Sequence, residues 1–248
     1  MAQIQQPNIE ELRMRSGRSA DLMRLFAFLL ACFLCILILR KLYLSREYFS
    51  LFYFLMSLVL SALVADFISG VAHWTFDTWG SAKTFIVGPL FIRPFREHHG
   101  DEKAFTHHTF LQTSSSGSFT VIPFLFIILF LPLEGMFSYA LLLFLFFVTT
   151  WIFLTNQIHK WAHMETPPAL IAFLQKIHIL LPNEAHHIHH IEPFTQSYAI
   201  TNGWTNPFFT KFKFFTKLEK IIMKITGAVP RTDDIGIEAA REVMAKEK

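Results

Sequence analysis

The sequence predicts an all-α, multi-pass membrane protein with about four transmembrane helices and a histidine-rich cap on the cytosolic face. Three observations predict it. Of 248 residues, 52% are hydrophobic and 16% aromatic, with 29 Phe, while only 17% are charged. That balance is too apolar for an ordinary soluble domain. The apolar residues gather into runs of spanning or near-spanning length, and the 12 histidines gather outside them, all on one predicted side.

Leu22–Leu39 and Tyr48–Val71 each reach the ~18 residues that cross a bilayer. Phe119–Leu133 and Ser138–Leu154, separated by Glu134 and Gly135, suit a helical hairpin, but both are short for full spans. No cleaved signal peptide is expected, because the first run follows a polar, charged stretch without a small-residue cleavage site. The expected organisation is a polar N-terminal segment over 1–21, one integral-membrane domain over 22–230 and a charged tail over 231–248. Within the domain, Pro167–Leu181 reads as an interfacial helix or a cover over the histidines.

Four spans put the N-terminus, the 73–118 segment and everything after Leu154 on one side. Arg13, Arg15, Arg18 and Arg24, with Lys83, Arg93, Arg96 and Lys103, assign that side to the cytosol; Arg40, Lys41 and Arg46 in the first hairpin loop argue mildly the other way. The net charge of +3 decides little, and no nucleic-acid partner is expected. Cys32 and Cys35 form a C-x-x-C, but they lie in an apolar helix without histidines nearby, so packing is the expected role.

Helical spacing sorts the histidines, since residues three, four and seven apart share a face. Asn156, His159 and His163 form one stripe on a helix continuing out of the fourth span. His186, His189 and His190 form a second, with His187 pointing elsewhere as a non-ligand. Asp66, Gly70, His73 and Asp77 form a third. A carboxylate beside a ligand histidine accepts its other ring N–H, fixing the tautomer, which gives Asp66 or Asp77 a role; carboxylates are otherwise costly in membrane helices. His98 and His99 precede Gly100 at a turn. Helical phase does not choose between His107 and His108, and His178 stands alone, reading equally as an interfacial residue.

A single metal needs three or four ligands, so this many imidazoles argue for two. The segment from His159 to His163 lacks the Glu of H-E-x-x-H zinc hydrolases, and all-nitrogen ligation favours iron.

The segments His73 to Gly80, Phe91 to His99, Asn156 to His163, His186 to His190 and Thr201 to Asn206 are similar to those of the membrane lipid-desaturase family. The resemblance covers residues 60–235. It implies a centre of two iron ions (Fe2+/Fe3+) held by His73, His98, His99, His159, His163, His186, His189 and His190, with His108 rather than His107 completing the set. Asp66, Asp77, Asn156 and His178 are the supporting candidates around it. Ala185 departs from the pattern, standing where animal members carry a further histidine.

The implied reaction is desaturation of a lipid with O2 and two external electrons. The implied substrate is a 1-O-alkyl ether phospholipid, and the product is its vinyl ether, a plasmalogen. The chain carries no Rossmann, haem or flavin motif, so an electron donor is implied, of cytochrome b5 type by resemblance. Arg93 and Arg96 are candidates for the headgroup phosphate, with anchoring to anionic lipid as the alternative. The same site also suits an acyl-chain desaturase or hydroxylase. A His-rich metal-binding or transport protein is the reading from another class, but it expects polar groups deep inside several spans. The cytosolic site corresponds to an endoplasmic reticulum membrane in a eukaryote and an inner membrane in a bacterium.

Overall fold

A computed structural model describes residues 18–230 except 82, 83, 86, 101, 192 and 193. The expected polar segment before Arg18, the charged tail from Arg231, and Arg13, Arg15 and Lys83 lie outside the described residues. The described residues form helices and turns and no strand. Four helices are long and apolar enough to span a membrane: α1 (Arg18–Leu44), α2 (Leu51–Thr78), α4 (Phe110–Phe130) and α5 (Met136–Ala162). Between α2 and α4 lies α3 (Arg93–Gly100), entered through a π-helical turn over Gly88–Ile92. After α5 come α6 (Ala169–Lys176), α7 (Asn183–His187), α8 (Asn206–Phe212) and α9 (Phe214–Thr226).

The third and fourth spans are longer than their apolar runs. The α4 helix starts nine residues before Phe119, at a Thr109–Gln112 capping box, and continues through Thr113–Ser118. Several of its hydroxyls bond back inside the helix: Thr113 Oγ1 donates to Thr109 O, Ser118 Oγ to Ser114 O and Thr120 Oγ1 to Ser116 O. Such back-bonding lets a polar-looking stretch remain helical at low cost. Similarly, α5 runs eight residues past Leu154, carrying His159 beyond the apolar run.

The principal helix contacts are α1 with α4, α4 with α5, and α5 with α2. Ala27, Ala31, Leu34, Ile38 and Leu42 give α1 one buried stripe, which meets Val121, Leu125 and Ile128 of α4 and Leu142, Leu143 and Phe146 of α5. Small residues let backbones approach, as expected between membrane helices. A Cβ added at Gly117 would lie 2.6 Å from the Phe153 carbonyl oxygen. The outer faces expose large apolar side chains such as Phe26, Phe33, Leu55 and Ile127, a surface suited to lipid rather than water. At the end away from the histidines, Lys41 Nζ donates to the carbonyls of Leu129 (2.8 Å) and Leu131 (2.5 Å). This lysine lies in the last turn of α1 rather than in the hairpin loop expected from sequence, and it closes the C-terminus of α4.

The other end carries the cap. The α9 helix leans on α2, where Trp74 Nε1 donates to Glu219 Oε1 at 2.9 Å and the Trp74 ring stacks on Phe215. Asp66 proves to be an anchor for the cap and accepts from no histidine. Its Oδ1 accepts from the backbone N–H groups of Thr201, Asn202 and Gly203 and from Thr201 Oγ1; its Oδ2 accepts from the Thr205 N–H and Oγ1. Gly203, at φ +76°, permits the curl. Asn206 then clips the Ala199 backbone at both its N–H and its carbonyl. Asp66→Ala strands these donors and is expected to cost about 3 kcal/mol. A lower melting temperature in detergent, with faster proteolysis across 194–206, checks this.

Candidate metal centre

Five stretches supply the site. The last turn of α2 presents His73 and Asp77, four residues apart; the end of α3 presents His98 and His99; the end of α5 presents His159 and His163. His186 sits on α7, while His189 and His190 follow it in a turn closed by His189 N–H to His186 O and His190 N–H to His187 O. Asn183 Nδ2 donates to Ala162 O at 2.6 Å, fastening α7 to the end of α5.

Eight imidazoles meet there in two groups that share one member. His98, His159, His163, His186 and His190 form the first; His73, His98, His99 and His189 form the second. In the first, Nε2 atoms lie 2.8 Å apart for His159 and His186, 2.9 Å for His186 and His163, and 3.1 Å both for His163 and His159 and for His190 and His186. In the second, His99 and His189 Nε2 are 2.9 Å apart. Imidazole nitrogens about 2.1 Å from one ion, at right angles to each other, lie about 3.0 Å apart. The spacing is that of ligand edges.

The other ring nitrogens explain why the inner ones are lone pairs. His73 Nδ1 donates to Tyr198 O at 3.0 Å and His189 Nδ1 to Gln196 O at 2.8 Å. A neutral imidazole has one N–H, so its placement on Nδ1 leaves Nε2 as an inward acceptor. Glu102 faces the first group from outside without a hydrogen bond to it, its carboxylate lying 3.4 Å from His190 Nδ1 and 3.7 Å from His163 Nδ1. Burial and then neighbouring imidazoles hold His98 and His186 well below the usual histidine range and also lower His190. Burial, opposed in part by Asp77, takes His99 down to about 3. These rings stay neutral at pH 7, the form that binds metal. Converging imidazole nitrogens at this spacing fit cations.

The predicted set divides on this geometry. His159 and His163 share a face as the spacing required, and His187 is exposed while His186, His189 and His190 are buried. The last three do not point one way: α7 ends at His187, the chain turns, and the Gln196 carbonyl aims His189 into the second group. His108 stands outside both groups, with its ring against Phe105 and its carbonyl accepting from Lys160 Nζ at 2.5 Å; His107 is exposed. His178 is exposed at φ 56°, its carbonyl accepting from Trp204 Nε1. Asn156 Nδ2 donates to Ser116 Oγ at 2.6 Å, joining α5 to α4 rather than supporting a histidine. Arg96 Nη2 lies 3.4 Å and 3.3 Å from the carbonyls of Trp79 and Gly80, and the side chain of Arg93 lies outside the described ones. The sequence reading missed Glu102 and the carbonyls of Gln196 and Tyr198. Glu102 follows α3 and has no helical register with the histidines it faces, and carbonyls leave no mark in sequence.

Residues 62–233 match the lipid desaturase domain. The chain is 46% identical over 188 residues to plasmanylethanolamine desaturase of Myxococcus xanthus, covering 76% of this chain and 67% of that protein. It is 41% identical over 186 residues to plasmanylethanolamine desaturase 1 of Mus musculus, covering 72% and 68%. Against the chloroplastic fatty acid desaturase 4 of Arabidopsis thaliana it is 32% identical over 176 residues, covering 68% and 52%. No solved structure matches the chain.

Because His98 belongs to both groups, His98→Ala is expected to lower metal content at both, whereas His187→Ala leaves it at the wild-type level. Elemental analysis of the purified proteins reads this directly. Glu102→Gln is expected to weaken binding about 10- to 100-fold, as removal of such outer partners does, measured by competition with a chelator of known affinity.

Proposed function

The chain belongs to the lipid desaturase family, and we propose that it converts a 1-O-alkyl ether phospholipid into its vinyl ether at a di-iron centre. The observation that carries the proposal is the pair of buried imidazole groups sharing His98 at one end of a four-helix membrane bundle. The choice of substrate rests on the two plasmanylethanolamine desaturases at 46% and 41% identity.

Desaturation removes two hydrogens from adjacent carbons of an unactivated chain, a step beyond any side-chain acid or base at neutral pH. Two irons bound here supply the oxidising chemistry, O2 being reduced to two waters with the substrate's two hydrogens, two external electrons and two protons. The chain's own residues hold and enclose. His98, His159, His163, His186 and His190 form one set of ligands, and His73, His99 and His189 join His98 in the other. Phe95 and Phe105 lie against this centre: Phe95 contacts His73 and His159, and Phe105 contacts His159 and His163. These rings keep water from the reacting carbons.

Electrons come from a separate donor, of cytochrome b5 type. Exposed Lys211, Lys213, Lys217, Lys220 and Lys224 on and around α8 and α9, beside the cap, suit an acidic partner surface. Arg93 and Arg96 remain the candidates for the headgroup phosphate, and Arg18 and Arg24 in the first turns of α1 support a cytosolic cap. The α6 helix exposes Leu170 and Phe173 and ends at Lys176, which suits an interfacial position next to the lipid. Acyl-chain desaturation is the second reading, favoured by the similarity to the plant fatty acid desaturase.

In cells supplied with an alkyl-ether phospholipid, expression of the chain is expected to produce acid-labile vinyl ether, and His163→Ala is expected to produce none. New acyl double bonds without vinyl ether transfer the proposal to the second reading.

A further inference from the structure

The carboxylate of Asp77 lies against three members of the second group. Asp77 Oδ2 lies 3.2 Å from His73 Nε2, 3.3 Å from His189 Nε2 and 3.6 Å from His99 Nε2. The role expected for it from sequence, holding an outer ring N–H, is filled by the carbonyls of Tyr198 and Gln196. Those carbonyls each take a ring N–H, so the nitrogens of His73 and His189 that face Asp77 are the ones left to bind an ion. Those nitrogens therefore meet an anion.

Among the described residues no lysine or arginine lies in ion-pair range of that charge. Asp77 is 1% exposed, and among the described residues neither of its oxygens accepts a hydrogen bond. It lies in the last turn of α2, where the helix dipole disfavours a negative charge. Asp66, three turns earlier on the same helix, shows how this fold treats a structural carboxylate, surrounding both oxygens with backbone and hydroxyl donors. Asp77 has the opposite surroundings: three imidazole nitrogens at ligand-edge spacing and no donor committed to it.

We propose that Asp77 binds metal directly through Oδ2, so that the second pocket is a mixed carboxylate and imidazole site while the first is all imidazole. This rests on the reading of the two histidine groups as metal pockets. The pockets then differ in charge, one neutral and one carrying an anion. A carboxylate oxygen is a harder donor than imidazole and favours harder, higher-valent ions, so the two metals differ in affinity and in electronic environment.

The test uses the full chain purified in detergent, loaded anaerobically with Fe(II) and assayed for iron per chain after exchange against a graded chelator. Wild type is measured first: fewer than two irons per chain overturns the underlying reading of paired pockets, independently of Asp77. Given two, Asp77→Asn is expected to keep one iron at wild-type affinity and to bind the other at least ten-fold more weakly, while His159→Ala weakens the opposite one. Asp77→Asn holding both irons at wild-type affinity overturns the proposal, as does loss of both from a protein that still elutes as wild type. A Mössbauer spectrum of the 57Fe-loaded wild type does not depend on how the variant folds. Two distinct iron environments are expected there, and two indistinguishable ones overturn the proposal.

Discussion

Eight buried imidazoles from stretches as distant as residues 73 and 190 are brought within ligand distance of one another, and that convergence is the constraint on which the rest of the structure depends. Ring nitrogens 2.8–3.1 Å apart have the spacing of ligands around one cation. Metal binding then becomes part of the folding free energy of the cap. The bundle beneath supplies what the ligands cannot, namely rigid posts. The ends of α2 and α5, packed along one another, hold His73 and His159 at fixed separation, and shorter elements close over them.

Four buried or partly buried carboxylates divide the remaining work, and their partners rather than their residue type decide each role. Asp66 holds the 201–205 curl. Glu219 receives the Trp74 indole and fixes α9 against α2. Glu102, partly exposed, backs His163 and His190 from the outer side. Asp77 faces inward. Asp66 thus pins the cap to α2, while Glu102 only faces the first pocket.

Much of this was legible in sequence because it depended on local periodicity. Four spans follow from the length of the apolar runs, and the shared face of His159 and His163 and the outward direction of His187 follow from helical repeat. The misread features depended on groups remote in the chain. The polar start of α4 is helical because its hydroxyls bond back to the preceding turn, a conformation that hydropathy does not report. His189 leaves the face of His186 because α7 stops, and the carbonyl that redirects it belongs to Gln196. Asp66 and Asp77 occupy one stripe and were indistinguishable by spacing; only the loop folded over Asp66 separates an anchor from a carboxylate that faces histidines. His108 entered the expected set only through the family resemblance, and the turn after Lys103 sets its ring against Phe105.

The central claim is that two metal ions occupy adjacent pockets on either side of His98. Anomalous diffraction from crystals of the iron-loaded protein, recorded at the iron edge, tests it most directly. The account predicts two peaks, one among His159, His163, His186 and His190 and the other among His73, His99 and His189. A single peak, or peaks away from these residues, would contradict it.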